Sequence, residues 1–406
     1  MHISETFCNF AAELVYRNMR FRDIIGQEHV KGQLRQYVHD GRIAHALLFT
    51  GPQGAGKLPL ALAYAQYIAC SNRTDDDACG VCSTCLQFQR LQHPDLHFAF
   101  PIVKSNDSSK EIVCNDSIQD WREQLTAQPY FDLNDWYARL GSTNKQGVIF
   151  EKESSEIIRK LSLKSFSGGY KFMIIWLPEK MNATAANKIL KLLEEPPEQT
   201  LFLLVSEQPE LLLSTIVSRT QEIRVPKLSD DEVKTYLMQK GIDETSAQDL
   251  AHIANGSITA ADKLAQRTEQ YELFFDQFSD IIQNIYRFVT SRDGQALLLL
   301  KNWAQGLSKE AGRERLKAFL QYMQRQIREN YIANYGIPRI NYQTERERQF
   351  SVQYSRLFGN VDIEEIMQQL TTAEEQISQN GSAYIIFFDL VVQMALSIKK
   401  QINNPI

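Results

Sequence analysis

Residues 51–57 read Gly-Pro-Gln-Gly-Ala-Gly-Lys, the G-x-x-x-x-G-K pattern of a phosphate-binding loop. In such a loop the glycines let backbone N–H groups surround phosphate oxygens, and the lysine reaches the outer phosphates. The pattern ordinarily ends in Ser or Thr, whose hydroxyl holds the Mg²⁺ that hydrolysis needs, but here the next residue is Leu58. The sequence therefore predicts a nucleotide-binding fold that has lost a metal ligand. The candidate phosphate-binding residues are Gly51, Gly54, Gly56 and Lys57.

The segments around this loop alternate between apolar strand-like runs and helical patterns. Residues 46–50 form a short apolar run that leads into the loop, and 58–69 have a helical pattern. Further strands are predicted at 171–177 and 201–205, and helices at 153–163 and 183–195. Strands that alternate with helices indicate an α/β fold with a mostly parallel sheet, extending to about Pro226.

Four of the six cysteines fall close together with the spacing C-x8-C-x2-C-x2-C. Four thiolates can enclose a tetrahedral Zn²⁺ with no open position, which predicts a structural zinc knuckle; the alternative is four unrelated buried thiols. Residues 74–77 are largely acidic and Arg73 is the segment's basic residue, so a DNA-binding finger is not expected. The predicted ligands are Cys70, Cys79, Cys82 and Cys85.

Composition and pattern predict three domains. The first is the α/β domain at 1–226, with the zinc knuckle at 70–85 and a polar, irregular insertion at about 100–150. A small helical lid follows at 227–266, where Ser229 is expected to cap a helix. An all-α C-terminal domain is predicted at 267–406.

A hydrolysing enzyme of this class needs an acidic pair at the end of the strand before the helix, which here is the strand at 171–177. That strand ends Ile175-Trp176-Leu177-Pro178-Glu179, so Trp and Leu occupy the acidic positions. Glu179 comes about two residues too late and is interpreted as a solvated turn residue. Two separate parts of the Mg²⁺ and hydrolysis apparatus are therefore missing.

Several segments resemble those of bacterial clamp-loader subunits of the AAA+ class. Residues 21–27 are similar to the family's opening motif, and 45–49 lead into the glycine loop as they do there. The four cysteines and the segments 186–197 and 215–220 also resemble the family. The resemblance covers about residues 21–226 apart from the insertion; beyond it, only the helical character matches, and the family implies a collar that joins a ring.

In that family, the tau/gamma subunits hydrolyse ATP and the delta-prime subunits usually do not. The departures at Leu58, at Trp176-Leu177 and at Thr259, where the lid motif normally carries a nucleotide-reading arginine, are like the delta-prime branch. The resemblance therefore implies a subunit of the DNA polymerase III holoenzyme without an ATPase of its own. The alternative is an active tau/gamma-type ATPase in which Glu179 moves into place.

The resemblance also implies that Arg219 is an arginine finger that reaches into a neighbouring subunit's ATP site. A guanidinium suits this role because it is always charged and offers a planar fork of donors to phosphate oxygens. Taken by itself, the residue would instead be interpreted as a surface arginine that caps a helix end; the Ser218-Arg219 block favours the finger. Ser206 lies where the family has a polar sensor residue, or it only caps a strand.

The implied partners are the tau/gamma and delta subunits, the sliding clamp through the complex, and primed DNA without sequence specificity. Lys180, Lys188 and Lys191 are candidate DNA contacts, although exposed lysines are usually just solvated. For the phosphate loop itself, three hypotheses stay open: weak ATP or ADP binding, binding of an inorganic anion, or an inherited turn without a ligand.

The net charge of −5 provides no global basic field that would draw the chain onto DNA or an anionic membrane. No apolar run has the length of a membrane span, and residues 1–7 lack the pattern of a signal peptide. The sequence therefore predicts a cytoplasmic protein without a membrane partner.

Overall fold

The computed structural model divides into two compact units, Met1–Asp262 and Lys263–Ile406. Their border lies inside a helix, Ile258–Gln266, which the sequence assigns wholly to a separate lid. The limits 1–226, 227–266 and 267–406 therefore stay predictions. The residues that the structure describes are 19–103, 112–142, 147–266, 268–310, 312–337, 340–359, 361–379 and 381–403.

The first unit is built on a parallel sheet that has five strands in the described part of the chain, in the order β2-β3-β4-β1-β5. Because the strands are parallel, their carboxyl ends meet at one edge, where Trp176 pairs with Val205 and Phe49 also pairs with Val205. Ligands of such sheets bind at this edge. The strands are β1 (Ala46–Thr50), β2 (Leu96–Ala99), β3 (Lys171–Trp176), β4 (Thr200–Val205) and β5 (Gln221–Arg224).

Helices surround this sheet, and the α/β fold class predicted from the sequence is confirmed. The strands predicted at 46–50, 171–177 and 201–205 are present, whereas β2 and β5 were not predicted. In chain order the helices are α1 (Glu28–His39), α2 (Lys57–Ala69), α3 (Ser83–Gln89), α4 (Ile118–Ala127), α5 (Leu133–Arg139), α6 (Glu151–Ser162), α7 (Ala183–Glu194), α8 (Ser214–Val217), α9 (Asp230–Gln239), α10 (Glu244–Ala254) and α11 (Ile258–Gln266).

The described part of the insertion is packed into the core of this unit. Its indole rings Trp121 and Trp136 are fully buried, and Trp121 stacks on Phe100 with ring centroids 4.3 Å apart. The two ends of the insertion meet at one place on the α/β core, because Ile102 and Val148 exchange backbone hydrogen bonds. The insertion is therefore a structural part of the α/β unit. Residues 104–111 and 143–146 of it lie outside the described residues.

The second unit is all-α in its described residues, as the sequence predicts. Large apolar side chains such as Phe278, Phe319 and Phe387 form its core. Among the described helices of the whole chain, none combines the length and the apolar character needed to cross a membrane. The helices of this unit are α12 (Thr268–Ser291), α13 (Gly294–Glu310), α14 (Arg313–Ala333), α15 (Glu345–Tyr354), α16 (Ile363–Ser378) and α17 (Ala383–Asn403).

A buried carboxylate joins α14 to α15. Glu347 is 3% exposed and accepts hydrogen bonds from Tyr322 Oη at 3.0 Å, from Arg325 at 2.5 Å and from Gln326. Removing one partner of such a cluster leaves buried polar groups without compensation. We expect Glu347→Ala to lower the free energy of unfolding by about 3 kcal/mol, measured by urea denaturation. Glu345→Ala on the same helix removes an exposed pair with Arg348 and should change stability little; equal losses would contradict this role.

Candidate functional site

The phosphate-binding loop lies between β1 and α2, as predicted. Two of its glycines are required by geometry. Gly51 has φ +144° and a Cβ there would lie 2.0 Å from the Val225 carbonyl oxygen. Gly56, with φ +90°, precedes the first turn of α2. The strand, loop and helix that the pattern requires are therefore present, and the backbone cradle is kept.

The lysine of the loop is directed back into the protein. Lys57 is 4% exposed, and its ammonium donates to the carbonyl oxygens of Gly51 at 2.8 Å and Pro52 at 2.6 Å. Burial lowers its pKa to about 8, although the charges of Glu207 and Glu179 act in the opposite direction. The carbonyl oxygens of Gly51 and Pro52 therefore accept from ammonium N–H groups that would otherwise face a phosphate.

Apolar side chains fill the positions where Mg²⁺ ligands would stand. Leu58 is 5% exposed, Trp176 3% and Leu177 2%. None of these side chains can bind a metal ion or polarise water. The structure thus places both departures from the hydrolysing pattern at the same edge of the sheet as the loop.

Glu179 is not the solvated turn residue that the sequence predicts. One carboxylate oxygen accepts from Ser206 Oγ at 2.9 Å, and the other accepts from the backbone N–H groups of Glu207 at 2.9 Å and Gln208 at 3.1 Å. Ser206 is fully buried, so its hydroxyl is engaged in this bond. Glu179 fixes the segment after β4, and this use of both oxygens argues against a role as a displaced catalytic acid.

Residues after the α/β core close over the loop from another side. The N–H of Ile258 donates to the Gly54 carbonyl oxygen at 3.1 Å, and a Cβ on Gly54 would lie 2.0 Å from Ser257 Oγ. Thr259 is 2% exposed and lines the same cavity as Lys57. The position where the family carries an arginine thus faces the loop with a short hydroxyl side chain.

Two aromatic residues from the insertion lie in front of the loop. A Cβ on Gly56 would lie 3.1 Å from Tyr130 Cε1, and the Tyr130 hydroxyl accepts from the Ile25 N–H at 3.1 Å. The Phe131 ring lies 5.0 Å from the Trp176 ring. The cavity that remains here is about 20 Å³. The sequence offered no local signal for these contacts beyond the aromatic content of the insertion.

The four predicted cysteines come together in space. All four Sγ atoms lie within 4.8 Å of one another, with Cys70 to Cys82 at 4.0 Å and Cys79 to Cys85 at 3.9 Å. A tetrahedral ion with Zn–S bonds of about 2.3 Å requires sulfurs about 3.8 Å apart. Backbone N–H groups also point at the sulfurs, as from Cys85 to Cys82 Sγ at 3.4 Å. The cluster therefore fits a four-thiolate metal site.

The cysteine segment also anchors the start of the described chain. The carboxylate of Asp77 accepts from the backbone N–H groups of Phe21 at 3.1 Å and Arg22 at 3.0 Å. Asp75 and Asp76 are over nine-tenths exposed at their side chains. An acidic surface of this kind is unsuited to contact with a phosphate backbone.

Arg219 lies just after α8 and is partly exposed. Its guanidinium pairs with Glu194 Oε1 at 2.6 Å and donates to the Thr215 carbonyl oxygen at 3.0 Å. Within this chain it therefore makes the capping contact of the simpler interpretation together with a surface ion pair. Of the lysines considered for DNA, Lys188 is engaged with Glu151 at 2.9 Å.

A parallel α/β core with a glycine loop at its carboxyl edge defines a P-loop protein. The model of the family described as "DNA polymerase III, delta subunit" matches residues 26–229. The chain belongs to this clamp-loader family.

Relatives in the family include both kinds of subunit. The DNA polymerase III subunit delta' of Bacillus subtilis is 26% identical over 276 residues, which are 68% of this chain and 69% of that protein. Subunit tau of Escherichia coli is 29% identical over 252 residues, 61% of this chain but 32% of tau. A gamma subunit-related protein of Thermotoga maritima aligns over 91% of this chain and 99% of its own, with 14% identity and a TM-score of 0.38. Identities at this level do not separate the two kinds of subunit.

Proposed function

We propose that this protein is a non-hydrolysing clamp-loader subunit of the delta-prime type. The observation that carries the proposal is the loss of both metal-binding positions, since Leu58 and the pair Trp176-Leu177 are buried apolar residues at the phosphate loop. The family match supports the wider class, a clamp-loader subunit of DNA polymerase III. The match to delta' of Bacillus subtilis, which extends over more than two thirds of both chains, supports the particular type.

In this proposal the chain acts on a neighbour's ATP and not on its own. Arg219 leaves its contact with Glu194 and reaches the phosphates bound by an adjacent tau/gamma subunit. A guanidinium near the transferred phosphoryl group stabilises the charge that develops in the transition state. Its partial exposure and its position at a helix end support such a reach. The further partners proposed are a delta subunit, the sliding clamp and primed DNA, with a cytoplasmic location.

We further propose that the cysteine cluster holds a structural zinc ion. Four thiolates leave no open position for water or substrate, so the ion would stabilise the fold without taking part in chemistry. The ligands would be Cys70, Cys79, Cys82 and Cys85, which join the end of α2 to the start of α3.

The alternative is an active tau/gamma-type ATPase, because this chain also matches subunit tau of Escherichia coli, at 29% identity over 61% of its length. The test is the turnover of ATP with Mg²⁺ by the purified chain, compared with a Lys57→Ala variant. We expect both proteins to release phosphate at the same background rate. Turnover that Lys57→Ala abolishes would favour the ATPase and overturn the proposal. A loader reconstituted with the wild-type chain, but not one without it, should show clamp- and DNA-stimulated hydrolysis.

A further inference from the structure

We propose that the insertion is a built-in plug of the phosphate-binding loop: Tyr130 and Phe131 permanently occupy the space where a nucleotide would bind. The proposal goes beyond the loss of hydrolysis, because a subunit without Mg²⁺ ligands can still bind a nucleotide. The plug and the proposed non-hydrolysing role can therefore be tested separately. Nucleotide binding without turnover would contradict the plug and leave the non-hydrolysing role intact.

The first argument is the space that remains. Sites for small organic ligands have volumes of about 300–1,000 Å³. The cavity between Lys57, Tyr130, Phe131 and Thr259 is about 20 Å³. A cavity of that size holds about one water molecule. A phosphate group could enter only if the aromatic side chains moved away.

The second argument is the way in which the plug is held. The Tyr130 hydroxyl bonds to Ile25, 105 positions away in the chain. The Phe131 ring packs against Trp176 at 5.0 Å and against Trp121 at 5.7 Å. Both Trp121 and Trp176 belong to the main core of the unit. Moving the Phe131 ring would therefore break core packing, and moving the Tyr130 ring would break its bond to Ile25, so the plug is a fixed part of the fold.

The backbone that follows the rings is also fixed. Asp132 caps α5 through a bond from the Asp135 N–H at 3.0 Å, and the Asp135 carboxylate accepts from the Asp132 N–H at 3.0 Å. This reciprocal capping box satisfies the first donors of the helix. The helix that follows the plug thus begins at a defined place, directly beside the loop.

The third argument is charge. Lys57 is influenced by the carboxylates of Glu207 and Glu179, and Glu207 lines the cavity. Burial raises the pKa of Glu207, the Lys57 charge lowers it, and the negative charges of Glu179 and Asp132 raise it further. An incoming phosphate would meet these carboxylates in a poorly hydrated space, where repulsion is stronger than in water. The carboxylates beside the loop therefore weaken the attraction of Lys57 for an incoming anion.

The experiment measures equilibrium binding of a fluorescent ADP and of inorganic phosphate, with and without Mg²⁺, to four folded proteins. Wild type should show no saturable binding at ligand concentrations up to about 1 mM, which corresponds to weak affinity. Tyr130→Ala/Phe131→Ala should gain at least tenfold in affinity, and adding Lys57→Ala should remove the gain. Tyr137→Ala truncates another buried aromatic of the insertion that does not line the cavity, and it should gain nothing.

Two results would overturn the plug. One is saturable binding to wild type below that limit, because the loop would then be accessible. The other is an opened variant that is folded and binds no better than wild type or Tyr137→Ala. If the double variant loses cooperative unfolding, Tyr130→Ala alone carries the same expectation, since it leaves the Phe131 contact with Trp176 in place.

Discussion

Replacing Arg219 with alanine should slow ATP hydrolysis at the neighbouring site of the assembled loader by about 10³-fold, the lower value for loss of an arginine finger. The reason is that the substitution removes a fixed positive charge that would stabilise the charge developing on the transferred phosphoryl group. Single-turnover hydrolysis, stimulated by clamp and primed DNA, is the suitable measurement. The steady-state rate would fall only to the share contributed by the remaining sites.

The fold should tolerate this substitution, which makes the result interpretable. Arg219 and Glu194 form an exposed pair, with side-chain exposures of 34% and 48%. Such pairs contribute about 0–1 kcal/mol to stability. Arg219→Ala should therefore assemble into the loader like wild type, which size-exclusion chromatography can verify.

Two further variants separate the finger from a general loss of positive charge. Arg219→Lys keeps the charge but loses the planar fork of donors, so it should recover only a small part of the rate. Arg159→Ala removes an exposed arginine that pairs with Glu156 at 2.8 Å, and it should leave the rate unchanged. Unchanged hydrolysis in an intact loader carrying Arg219→Ala would rule out the finger.

Local sequence patterns account for the parts of the fold that were predicted. The strand at Ala46–Thr50 is an uninterrupted apolar run followed by glycines, and the structure has it at the predicted limits. The cysteine cluster was also predictable, because three of its members lie within seven residues of one another. Both features depend on residues that are close in the chain.

Strands without such a pattern escaped prediction. The strand β5 (Gln221–Arg224) has one buried residue, Ile223, because it lies at the edge of the sheet. The strand β2 (Leu96–Ala99) has only four residues, too few for a periodic signal. Pairing with neighbours that are distant in the chain determines these strands.

The parts of the site that the sequence did not predict also depend on contacts between residues that are distant in the chain. The contact of Tyr130 with Ile25 joins residues 105 positions apart, and nothing near either residue indicates it. Glu179 accepts bonds from Ser206 and Glu207, 27 and 28 positions away, so it looked like an ordinary turn residue. The loss of the Mg²⁺ ligands could be predicted from single positions in the sequence. The side chains that now fill the site could be identified only from the structure.

Removing the cysteine cluster is the second change with a large expected effect. Cys85→Ser should abolish the zinc content of the purified chain, which we expect to be one ion per chain. It should also lower the midpoint of thermal unfolding by roughly 10 °C, since loss of a buried metal ligand costs several kcal/mol. Cys114→Ser is the matched control: Cys114 is buried and bonds to the Phe100 carbonyl oxygen at 3.2 Å, outside the cluster, so its zinc content should stay at one.

The location of the cluster supports a structural ion over a DNA-binding knuckle. Cys70 ends α2, the helix of the phosphate loop, and the same segment carries Asp77, which holds the backbone of Phe21 and Arg22. Metal loss should therefore loosen residues 21–23 and the end of α2, which hydrogen exchange can follow. A DNA-binding knuckle would instead lose DNA affinity while the α/β unit stayed folded. A metal-free chain with unchanged thermal stability would contradict the structural role.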